Sequence, residues 1–237
     1  MTRDELRQLV AIHLDRTGDP DSWSGQPGAV LYSGLASLRP GRFYLLGINP
    51  GGMDDMGGPV IRENLCADDG TNHYADQHWE GEPGTRSVLQ KRVCDLIDAL
   101  GVAPQDVPST NLIFRCWPQI RNLPDRNEWR RRCWGVHEHL LRLVKPRWII
   151  SLGYGGYDAF EFLKPAGPER QKQAAKTAWY YEREMDFGEG PQPVGVLGVA
   201  HPGKQGFVKL NGAERYPDDL KAFIARYVRP GEAEAGS

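Results

Sequence analysis

The sequence predicts an α/β fold: a three-layer sandwich in which a central, mostly parallel sheet of four strands lies between helices. Three observations lead there. Four short apolar runs, at 43–48, 111–114, 148–153 and 194–200, read as buried strands. Stretches with apolar residues at helical spacing lie between them. The runs are continuously apolar rather than alternating, as expected of strands covered on both faces.

The elements follow in order. Residues 4–14 place Leu6, Val10 and Leu14 on one helical face. Phe43 to Ile48 follows a Pro-Gly turn and reads as the first strand. From Pro50 to about Gly84 runs a long loop rich in Gly, Asp and His, a length usually functional or disordered. A helix over 86–100 carries Leu89, Val93, Leu96, Ile97 and Leu100 on one side. Asn111 to Phe114 is the second strand. A helix over 127–144 turns Trp129, Cys133, Val136, Leu140 and Val144 inward. Trp148 to Gly153 is the third strand, followed by a helix through Tyr157, Phe160 and Leu163. Residues 177–187 read as a polar-aromatic hairpin arm, and Val194 to Ala200 as the fourth strand. A helix over 213–228 would bury Leu220, Phe223, Ile224 and Tyr227. One domain over 1–229 is expected, with a small acidic tail, 230–237, too polar to order.

Composition narrows the function classes. The 237 residues are 40% hydrophobic and 25% charged, ordinary for a globular domain. No apolar run reaches the ~18 residues of a membrane span, and MTRDELRQLV has no apolar core of a signal peptide. A cytoplasmic, monomeric protein with no membrane partner is expected. Cys66, Cys94, Cys116 and Cys133 contain no C-x-x-C pair, so they read as free thiols rather than zinc or iron–sulfur ligands. His73 and His78, near Asp68, Asp69 and Asp76, read as solvated rather than metal-binding; no metal or cofactor is expected. Pro50 interrupts any G-x-G-x-x-G after strand one, and no G-x-x-x-x-G-K-[ST] occurs. Ser151 lacks the G-x-S-x-G elbow. The Gly153-Tyr154-Gly155-Gly156 turn suits close helix–strand packing.

Ligands of parallel sheets bind beyond the carboxyl ends of the strands. That rule selects Asn49-Pro50-Gly51-Gly52, the polar end from Asn111 to Arg115, and His201-Pro202-Gly203-Lys204. Net charge is −2, but nine Arg or Lys against three acids lie between Arg115 and Arg147. That stretch is either a phosphate-facing surface or a solvated helix face.

Gly47-Ile48-Asn49-Pro50-Gly51 after the first strand, with His201-Pro202 after the last, resembles the paired motifs of uracil-DNA glycosylases. The likeness runs in order from about residue 40 to 225 and includes Asn111. Asn rather than Asp after Gly-Ile is similar to the mismatch-specific and single-strand-selective monofunctional branches. His-Pro, Met53 and the Gly57-Gly58-Pro59-Val60 turn resemble the single-strand-selective branch. The second motif continues Gly-Lys-Gln-Gly where that branch has Ser-Pro. The resemblance implies hydrolysis of the N-glycosidic bond of uracil or a related damaged base in single- or double-stranded DNA. It assigns Asn49 and His201 to catalysis, and Ile48, Gly51 and Asn111 to the base.

Those residue types suit the chemistry. A base inside a duplex must be extruded before it can be attacked. The Asn49 carbonyl oxygen can hold a water below C1′, and His201 can donate to the base as negative charge develops on it. Asn111 offers donor and acceptor to the edge of uracil. Lys204, Gln205 and Phe207 are expected to enter the duplex or meet its phosphates. Arg115 and Arg121 are expected to touch phosphates, and at most one or two of Arg130, Arg131 and Arg132 to join them, since successive helical residues diverge by ~100°. Two other readings remain from sequence: a base-binding module without turnover, and a hydrolase or transferase of free nucleosides or nucleotides.

Overall fold

The computed structural model describes residues 1–15, 22–51, 58–79, 85–165, 171–203, 208–210 and 213–229. Residues 230–237 lie outside them, as do Met53, Gly57, Lys204, Gln205 and Phe207.

The strands are β1 (Phe43–Gly47), β2 (Ser109–Asn111), β3 (Trp148–Leu152), β4 (Lys172–Ala175), β5 (Ala178–Asp186), β6 (Pro191–Val199), β7 (Val208–Leu210) and β8 (Ala213–Arg215). One sheet has six strands in the order β2-β1-β3-β6-β5-β4, and β7 and β8 form a separate pair. The neighbours from β2 through β6 run parallel, while β6–β5 and β5–β4 are antiparallel. The sheet is therefore six-stranded and mixed, not the four-stranded sheet expected. The hairpin arm at 177–187 is a full sheet member paired to β6 over its whole length. Its burial alternates, because one face of this antiparallel part is more exposed.

Helices α1 (Arg3–Leu14) and α4 (Arg126–Val144) cover one face, and α3 (Val88–Leu100) and α6 (Asp218–Phe223) the other. Two short helices, α2 (His73–Asp76) and α5 (Ala159–Phe162), lie in connections. Strand side chains alternate between the two cores. Tyr44, Leu46, Ile149, Val194 and Val196 join Leu6, Val10, Cys133, Val136 and Leu140. Phe43, Leu45, Ile150, Leu197 and Val199 join Val93, Leu96, Ile97 and Leu220 on the opposite face. Thr2 and Ser87 close reciprocal capping boxes with Glu5 and Gln90, fixing where α1 and α3 begin. No helix among the described residues is long and apolar enough to cross a membrane.

Several boundaries differ from expectation. The second strand is 109–111, yet Leu112 and Ile113 continue donating to the Gly47 and Ile48 carbonyls as the chain leaves the sheet. The helix after β3 spans only 159–162. The final helix starts at Asp218 because Pro217 occupies its N-cap, and residues 213–215 pair with 208–210 instead. The chain then continues in wider π-type turns over Ile224–Val228. The long loop after β1 has structure of its own: the short helix α2 and bridges from Val60 to Pro27 and Asn72 to Ser33.

Candidate functional site

Asn49, Asn111 and His201 meet in one cavity at the carboxyl ends of the parallel strands. It measures about 60 Å³, and Gly47, Ile48, Gly51, Tyr32, Tyr74, Trp79, Leu89, Leu152 and Pro202 also line it. Every residue expected at catalysis or on the base is thus present.

Asn49 follows β1 and is half-buried. Its side-chain amide donates to the Pro50 and Trp117 carbonyls, each at 2.8 Å. Both amide protons are thereby engaged, which leaves the side-chain oxygen as the acceptor Asn49 offers the cavity. The loop is fastened again from the same side: the Trp117 N–H donates to the Pro50 carbonyl, and the Cys116 thiol donates to that of Gly51. Rotation of Asn49 about its side-chain bonds would break two hydrogen bonds, so its oxygen is preorganised.

Asn111 ends β2 opposite Gly47 and is 4% exposed. Its Oδ1 occupies the place where a side chain at 47 would go; a Cβ there would lie 2.1 Å from it. The Asn111 side chain also bonds the Tyr32 hydroxyl. Burial raises the Tyr32 pKa well above the usual phenol range, the nearby Cys116 adds to this, and the Asn111 bond opposes it. Beneath the strand, His137 on α4 bonds the Asn111 carbonyl through Nε2 at 3.0 Å and the Tyr44 hydroxyl through Nδ1 at 2.9 Å. Burial lowers the His137 pKa to about 4, so the ring is neutral: Nε2–H donates to the carbonyl and Nδ1 accepts from tyrosine.

His201 lies two residues past β6. The Gly203 N–H donates to its Nδ1 at 3.0 Å, which places the proton of the neutral ring on Nε2. The following carbonyl, that of Pro202, accepts from the guanidinium of Arg92 on α3. Arg92 is 7% exposed, and burial lowers its pKa. It is a positioning residue that sequence reasoning missed. The available signal was an arginine inside the apolar stripe of Leu89, Val93 and Leu96.

The aromatic wall was also missed. Tyr32 reaches the site because residues 28–33 run along the outer edge of β2, with backbone bonds from Ala29 to Phe114 and from Tyr32 to Ser109. Tyr74, on α2, stacks with Tyr32 at 5.2 Å between ring centroids. Trp79 meets both rings, at 5.8 Å and 5.3 Å.

Arg115 and Arg121 do not line this cavity. The Arg115 guanidinium lies over the rings of Trp117 and Trp129, 4.6 and 5.6 Å from their centroids. Arg121 is exposed and donates to Gln119. Within the arginine triplet, Arg132 is buried between Glu128, the Leu14 carbonyl and the Trp23 ring, while Arg130 and Arg131 remain nearer the surface. His73 packs edge-on against Tyr32, and burial lowers its pKa. His78 lies beside the Thr85 carbonyl. No protein-family model matches the chain, and neither does any curated protein sequence.

Proposed function

We propose that the protein is a monofunctional DNA glycosylase that hydrolyses the N-glycosidic bond of uracil or a related damaged pyrimidine. The observation that carries this reading is the fixed Asn49 side chain, whose oxygen is an acceptor in the same cavity as His201 and Asn111. The flipped base enters against the aromatic wall, and its polar edge meets the Asn111 amide. Asn49 holds a water toward C1′. The water oxygen bonds to C1′ as the bond to the base nitrogen breaks, and the bonding pair leaves with the base. His201 Nε2–H donates to the base oxygen as negative charge builds there, while the proton of the attacking water passes to solvent. An amide is a poor base, so the rate comes from preorganisation rather than from proton abstraction.

The test is base release from uracil-containing single- and double-stranded oligonucleotides, with alkali used to cleave the resulting abasic sites. An intact abasic strand and free base are expected. A borohydride-trapped covalent adduct, or no abasic product from any damaged pyrimidine, overturns the proposal.

One observation favours a second reading, action on a free nucleoside: neither Arg115 nor Arg121 lines the cavity. Oligonucleotide affinity that falls as salt rises, through counterion release, supports a DNA strand as partner. Turnover of nucleosides with no measurable oligonucleotide binding supports the second reading.

A further inference from the structure

A much larger cavity adjoins the small one. A chamber of about 620 Å³ shares Tyr32, Gly51, Trp79 and Leu89 with it. That volume falls within the ~300–1,000 Å³ range of small-molecule sites and is large enough for more than one ring system. No Asp, Glu, Lys or Arg is among its described lining residues. None of these described residues offers a phosphate a fixed counter-charge, so they suit a neutral group. Trp79, 37% exposed, provides an aromatic surface, and its indole N–H donates to the Gln77 side-chain oxygen at 3.1 Å. That bond occupies the Gln77 oxygen and leaves its amide group as a donor. Asn64, which also lines the chamber, donates to the Gly28 carbonyl at 2.9 Å, which leaves its side-chain oxygen as an acceptor. An aromatic face, one amide donor and one amide acceptor among the described lining residues match the chemistry of a nucleobase.

We propose that this chamber is a second base subsite, taking the neighbour of the target base in the same strand and stacking it on Trp79. The proposal rests on the glycosylase reading for its target base. It adds that the substrate is a strand long enough to fill two places at once. Two bases can occupy two separate cavities only when they are unstacked from each other, which favours single strands or locally opened ones.

The experiment measures binding of short uracil-containing single strands by fluorescence anisotropy, with a tetrahydrofuran abasic analogue placed on the 5′ or the 3′ side of the uracil. Loss of one neighbouring base, on one side only, should weaken binding roughly 10- to 100-fold, the worth of one stacked base. In Trp79→Ala, normal and abasic-flanked strands should bind alike. Gln77→Ala, which removes the amide donor and releases the indole, should narrow the difference while the ring itself stays. Equal binding of all strands by the wild type overturns the subsite, and so does a neighbour effect that persists in Trp79→Ala. Base release is scored separately by alkali cleavage. Release that ignores the neighbour keeps the glycosylase reading and removes the subsite. Neighbour-dependent binding without release keeps the subsite and removes the hydrolytic reading. Failure to bind any strand removes both.

Discussion

Arg92 and Pro202 meet although one lies within α3 and the other beyond the end of β6: the buried guanidinium donates to the proline carbonyl at 2.5 Å. The bond fixes the peptide next to His201, where the Gly203 N–H turns back to the ring and sets its tautomer. Arg92→Ala leaves that carbonyl without its charged donor, a loss of about 1–3 kcal/mol in stability. Base release should slow about tenfold or more with little change in KM, because Arg92 lines neither cavity. Arg92→Lys should recover part of the rate. An alanine variant with unaltered kcat would show that the His201 loop holds itself.

The two hydrogen bonds from the Asn49 amide set up a test against simple base strength. Asn49→Ala should cut the rate roughly 100- to 1,000-fold while leaving strand binding nearly intact. Asn49→Asp introduces a stronger base, yet an ionised aspartate cannot donate to the Pro50 and Trp117 carbonyls. It would face two carbonyl oxygens with negative charge. The aspartate variant should therefore be slower than the wild type and melt at a lower temperature. A faster aspartate enzyme would mean that the loop does not depend on the amide clamp.

Gly47 and Asn111 cannot both carry side chains in their present positions, since a Cβ at 47 falls 2.1 Å from Asn111 Oδ1. Gly47→Ala should cost about 1–3 kcal/mol through overpacking and displace the Asn111 amide from the cavity. Selectivity for uracil over cytosine, measured as a ratio of kcat/KM, should fall along with stability. Retained selectivity at wild-type stability would remove Asn111 from base discrimination.

His137 gives the fold a defined acid limit. Its pKa is lowered from the ordinary 6.5 to about 4, so between those values the unfolded chain binds a proton that the native ring does not. The stability it contributes is complete above pH 6.5 and is lost as pH falls toward 4, by at most about 3 kcal/mol. His137→Gln should be less stable at neutral pH but lose less between pH 6.5 and 4.5 in urea unfolding. A variant with the wild-type pH slope would show that other groups set the limit.

The parts legible from sequence were those governed by local pattern. Three of the four parallel strands, β1, β3 and β6, stand out as apolar runs because both their faces are buried, and Asn49 and His201 stand out as polar residues just beyond two of them. The second strand, Ser109-Thr110-Asn111, is polar, and the apolar run that pointed to it, Leu112 to Phe114, follows it in the chain. What was missed depends on long-range geometry. Tyr32 sits in a segment without a helical or strand pattern, and only its backbone bonds along β2 bring it to Asn111. Tyr74 and Trp79 come from the long loop, whose path is set by bridges and side-chain bonds rather than periodicity. Lys172–Ala175 is polar and short, as suits an edge strand, and carries little strand signal. The basic residues were legible as a cluster, but not their directions: Arg132 turns into the core while Arg121 stays outside.

The long pairing of β5 with β6 has a consequence for how the chain folds. Its turn, at 187–190, carries Gly188 and Gly190 at φ 99° and 97°, and both donate their N–H groups to the Asp186 carboxylate. Every partner in that ladder lies nearby in sequence, whereas β2, only three residues long, must find β1 across the whole intervening loop. Closing short loops costs less entropy than closing long ones, so the hairpin is expected to form early and β2 late. Pulse-labelled hydrogen exchange should protect β6 amides before those of β2; the reverse order would contradict this. Because β2 delivers Asn111, the cavity shared with Asn49 and His201 is expected to be complete only once β2 has joined β1.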